Sequence, residues 1–98
     1  MADEDKNPTS YDAFETVTIS SSSVALTAAT YLNQRFALIT VETNPVRFRL
    51  DGTAPTATVG HILNAGDILE LSSREQIVSA RFIRKDAADA TLSVSYGA

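Results

Sequence analysis

Apolar and polar residues alternate along most of this chain with a period of two, the spacing that puts one set on each face of a β-strand. In residues 14–20, FETVTIS, Val17 and Ile19 fall on one face and Thr16, Thr18 and Ser20 on the other. A serine run at 20–23 ends that pattern, and residues 24–30 resume it with Val24, Leu26 and Ala28. The segment 36–43, FALITVET, is apolar on both faces at its start, as a central strand of a sandwich would be. Asn44-Pro45 then marks a tight turn. The cleanest alternation is 46–50, VRFRL, with Val46, Phe48 and Leu50 facing in and Arg47 and Arg49 facing out.

The second half continues in the same way. Residues 67–73, DILELSS, follow an Asn64-Ala65-Gly66 turn, and HIL at 61–63 reads as the entry to a strand. Residues 76–85, QIVSARFIRK, read as a strand with Val78, Ala80 and Phe82 on one face. After a DAAD loop at 86–89, residues 90–97 set Ala90, Leu92, Val94 and Tyr96 against Thr91, Ser93 and Ser95. No apolar stripe of helical spacing reaches ten residues; only the alanine-rich TAATYLNQ stretch is open to either a strand or a helical turn. Six to eight short strands with turn residues between them predict an all-β fold, an antiparallel β-sandwich of which the jelly roll is one form. Residues 14–98 make its single domain, behind a flexible acidic N-terminal arm at 1–13.

Charge sharpens that division. The arm carries Asp3, Glu4, Asp5 and Asp12 against Lys6, whereas the body has eight acids against seven bases. A nearly neutral body argues against a nucleic-acid groove, which needs a clustered basic excess. The longest apolar runs are only a few residues, which excludes a membrane-spanning helix. Cysteine is absent and histidine occurs once, so neither a disulfide framework nor a Cys- or His-built metal site is expected.

Candidate chemistry centres on residues 47–63, RFRLDGTAPTATVGHIL, which hold the lone histidine. Asp51, His61 and the hydroxyls between them suggest a Ser-His-Asp arrangement, but no GxSxG elbow accompanies them. Asp51-Gly52 is better read as a turn pair, in which glycine takes positive φ and the aspartate caps the backbone. Asp86 and Asp89 do not form the run of alternate oxygen ligands that a calcium loop needs. The single glycines at 52, 60 and 66 do not make a phosphate cradle. No enzyme activity and no cofactor is therefore expected. What remains is surface: Arg47 and Arg49 project from one strand, and Arg81, Arg84 and Lys85 crowd another. Arginine is enriched at protein interfaces because its planar fork grips carboxylates. With Asp51, Thr53 and His61, the arginines 47, 49, 81 and 84 form the predicted partner-binding set.

The block from residue 36 to 97 resembles a group of small proteins encoded by tailed bacteriophages and prophages. The likeness is carried by RFRLDGT, PTATVGH, GDILEL, RFIR and the terminal ATLSVSYG. It implies a virion component of the capsid decoration, or cement, type, made in the bacterial cytoplasm and placed on the capsid surface. Its partners would be the major capsid protein or another virion protein, and further copies of itself as a dimer or trimer, with no nucleic acid and no membrane. The N-terminal third lies outside the likeness, so no role is carried to the arm. The alternative reading is a carbohydrate- or receptor-binding module on a tail or head fibre.

Overall fold

The computed structural model describes residues 10–98. Among these residues, eight strands and two short helices follow in the order β1 (Tyr11–Ile19), β2 (Val24–Ala25), α1 (Ala28–Tyr31), β3 (Phe36–Val41), β4 (Val46–Arg49), β5 (His61–Leu63), β6 (Ile68–Leu71), α2 (Arg74–Ser79), β7 (Arg81–Arg84) and β8 (Ala90–Gly97). They form two four-stranded antiparallel sheets. One has the order β1-β8-β3-β6 and the other β2-β7-β4-β5.

This order follows from one long hairpin bent at the β4–β5 connection. Its arms pair β1 with β8, β2 with β7, β3 with β6, and β4 with β5. Rolling that ribbon brings β3 beside β8 and β4 beside β7, and these are the two remaining pairings. The all-β sandwich is thus wound as a jelly roll. Every connection crosses from one sheet to the other except β4–β5, which stays within its sheet at the hairpin tip.

The core lies between the sheets. Ile39, Val41, Leu92, Val94 and Tyr96 come from the β1 sheet, and Val46, Phe48 and Phe82 from the β4 sheet. All are buried, and each large side chain contributes about 1.5–3 kcal/mol by leaving water. Phe48 and Phe82 pair across β4 and β7 with ring centroids 6.1 Å apart. Tyr96 keeps its hydroxyl satisfied by donating to a Glu15 carboxylate oxygen at 2.5 Å. Glu15 is thereby tolerated at an inward position of β1, and it also accepts the Thr27 amide at 3.2 Å.

Three expectations need correction. Residues 76–79 are helical, not strand: α2 occupies 74–79 and β7 only 81–84. The Ser73 hydroxyl caps the Gln76 amide and the Gln76 side chain takes the Ser72 amide, a close relative of the capping box. As a result Ile77 is buried and Val78 is exposed, the reverse of the strand parity. Residues 24–30 hold only the two-residue β2; the open TAATYLNQ stretch contains α1, and Ala28 is exposed. That short helix is held from outside, by Glu15 at Thr27 and by Arg74, which donates to the Leu32 carbonyl and lies 5.7 Å over the Tyr31 ring. Finally, Tyr11, Asp12 and Ala13 are part of β1, paired with β8, so the arm boundary at 13 falls too late. The rest of the proposed arm, 1–9, lies outside the described residues.

Candidate functional site

The β4–β5 connection, residues 50–60, is built as a supported loop and not as slack chain. Arg47 leaves β4 and turns onto it. Its Nε donates to the Ala57 carbonyl and its Nη1 to the Gly60 carbonyl, both at 2.8 Å. Thr56 closes a tight turn inside the loop, its hydroxyl accepting the Val59 amide at 3.0 Å and its amide donating to the Val59 carbonyl at 2.9 Å. At the loop's end Gly60 takes φ +140°, and a Cβ there would lie 3.1 Å from Pro55 Cβ and 3.2 Å from Arg47 Cβ. Only glycine fits both the angle and the space.

Arg49 and Asp51 form a second brace. Two nitrogens of the guanidinium reach the two carboxylate oxygens at 3.1 and 2.5 Å. Asp51 also accepts the Thr53 amide at 3.2 Å, the turn-capping role expected of it. The Arg49 hydrogen bond, followed by that of Thr53, holds the Asp51 carboxyl below the usual carboxylate range. The same pair raises Arg49 above the ordinary arginine value. His61 opens β5 beside Phe48, with ring centroids 5.3 Å apart, and its side chain is exposed.

Together Arg49, Leu50, Asp51, Val59, Gly60 and His61 line a shallow open depression at this end of the sandwich. It presents an apolar side chain (Val59, 53% exposed), an imidazole and an ion pair on a braced frame. Such a surface suits recognition of another molecule. Asp51 is already committed to Arg49 and Thr53, while the imidazole rests on Phe48.

The structure gathers some of the predicted residues and separates others. Arg47, Arg49 and Arg81 share the outer face of the β4 sheet, with Arg49 directly opposite Arg81. Arg81 turns its Nη1 to the Val78 and Ala80 carbonyls at 2.8 and 2.9 Å, closing the C-terminal end of α2. Thr53 contributes its backbone amide to the Asp51 turn. Arg84 lies apart from the others. It lies at the other end of β7, opposite Val46, and pairs with Asp89 at 2.6 Å. Lys85 likewise pairs with Asp86, so those acids serve the β7–β8 loop.

Sequence reading missed the other face. Among the described residues, the outward positions of the β1-sheet strands include Asp12 and Glu70 and no lysine or arginine, whereas those of the β4 sheet include Arg47, Arg49 and Arg81 and no acid. That signal is present in the sequence but appears only when strands are sorted by sheet. Among known proteins the chain matches no family model, no curated protein and no solved structure.

Proposed function

We propose that this chain is a non-enzymatic virion protein of a tailed bacteriophage that decorates or stabilises the capsid by binding the major capsid protein lattice. The observation that carries the reading is the braced hairpin tip. A loop already fixed by Arg47, Thr56 and Gly60 loses little conformational entropy on docking, so more of the contact energy remains as affinity. Exposed Val59 and His61 supply apolar contact there, and the Arg49–Asp51 pair supplies polar contact. Repetition over a symmetric shell then multiplies weak contacts into stable decoration. The phage-like block supports the same reading, because its RFRLDGT and PTATVGH segments build β4, this loop and the start of β5.

Pelleting the purified chain with capsid shells that lack it tests the proposal. Binding that Val59→Asp abolishes and Arg84→Ala, at the far end of β7, leaves intact is the expected result. No binding to shells, or equal loss in both variants, contradicts it. The depression also fits the alternative of a carbohydrate-binding module, since jelly rolls serve as lectins as well as capsid proteins. A glycan-array signal lost in His61→Ala would favour that alternative.

A further inference from the structure

The two outer sheet faces are opposite in charge, and each has an apolar patch beside its charges. On the β1 sheet, Glu70 lies next to exposed Ile68 on β6, and Glu42 accepts a hydrogen bond from Ser93 at 2.5 Å. Phe14, 61% exposed, stands on the same face. Half-buried Phe36 and Leu38 of β3 share that face, and short threonine and serine side chains fill much of the remainder: Thr16, Ser93 and Thr40 occupy one row across three strands. On the β4 sheet, Arg47 sits between Ile83 and exposed Ile62, and Arg81 between Ala25 and Arg49. Arg49 is neutralised by Asp51, but among the described residues neither Arg47 nor Arg81 has a carboxylate partner.

We propose that copies of this chain associate head to tail, the β1 face of one seating on the β4 face of the next. Face-to-face packing of like sheets opposes arginine to arginine, or glutamate to glutamate, and costs free energy when water is excluded. Packing unlike faces sets Glu42 and Glu70 against Arg47 and Arg81, with Ile68 and Phe14 near Ile62 and Ile83. Such a contact is heterologous, so it closes into a ring or continues as a filament and never stops at a two-fold dimer. The inference does not depend on the virion reading, because it concerns the isolated chain.

The absence of cysteine gives a clean test. Thr16→Cys labels the β1 face and Ala25→Cys the β4 face, both at exposed positions. Under mild oxidation of an equal mixture, the crosslink between the two variants should exceed either self-crosslink by an order of magnitude. High salt, or Glu70→Lys in both chains, should remove most of it. A dominant self-crosslink, a random mixture of products, or no crosslink at all overturns the proposal. Thr18→Cys with Ile62→Cys repeats the test should either first variant melt early by circular dichroism.

Discussion

Arg49 and Arg81 stand directly opposite each other on β4 and β7, and each guanidinium is drawn to a different acceptor. Like charges facing each other across a sheet destabilise it. Here Asp51 takes Arg49 and the carbonyls at the end of α2 take Arg81. The turn after β4 and the helix before β7 thus let a basic face persist where the bare strands would repel.

Removing the acceptor should expose that repulsion. Asp51→Asn is expected to lower the melting temperature at neutral pH, with part of the loss recovered in high salt. The pH dependence has a definite sign. Asp51 is held below its ordinary value of 3.8, so its contribution is complete above that value and lost as pH falls below it toward the folded value. Thermal scans below pH 5 should therefore show a steeper acid loss in the wild type than in Asp51→Asn.

Tyr96 predicts the alkaline side. Burial, helped by its bond to Glu15, pushes its hydroxyl well above the ordinary value of 10.0. The folded state then holds a proton that the unfolded state releases, so stability is full below that value and falls as pH rises past it. Tyr96→Phe should cost about 1 kcal/mol at neutral pH, the net worth of one hydrogen bond, and should flatten the decline above pH 10 in thermal scans.

The helical register of α2 is open to a paired substitution. Ile77→Ala should cost about 2–5 kcal/mol by leaving a cavity, and Val78→Ala no more than about 0.5 kcal/mol, since Ile77 is buried and Val78 is 43% exposed. Urea denaturation measures both. A strand through these residues would give the reverse ranking.

Two loop glycines should separate in the same way. Gly52 has φ +83° with open space around its α-carbon, whereas Gly60 combines φ +140° with close neighbours. Replacing Gly52 by Ala should cost about 1 kcal/mol, and Gly60→Ala about 1–3 kcal/mol more, together with loss of the braced loop. Amide exchange at Val59, whose N–H is bonded to Thr56, would report that loss directly.

Much of this fold is legible in the sequence because inward and outward residues alternate where a strand has one wet face. Val46 and Phe48, and Leu92, Val94 and Tyr96, lie where their spacing puts them. The alternation misleads at 76–79, where it sets Val78 on the face of Ala80 and Phe82, yet Val78 is exposed and Ile77 buried. There Ser73 and Gln76 decide by capping a helix too short to carry its own periodicity. Within the candidate site, the outward arginines and the Asp51 turn are readable from local pattern. That Arg47 donates to the loop carbonyls, and that Arg84 faces Asp89, depends on side-chain reach, which spacing does not encode.

Cryo-electron microscopy of purified virions from a phage that carries this chain tests the proposed capsid binding. The expected map shows an eight-stranded sandwich at symmetric positions on the shell, its β4–β5 loop against the major capsid protein. Absence of the chain from mature virions, or attachment with that loop pointing into solvent, would contradict it.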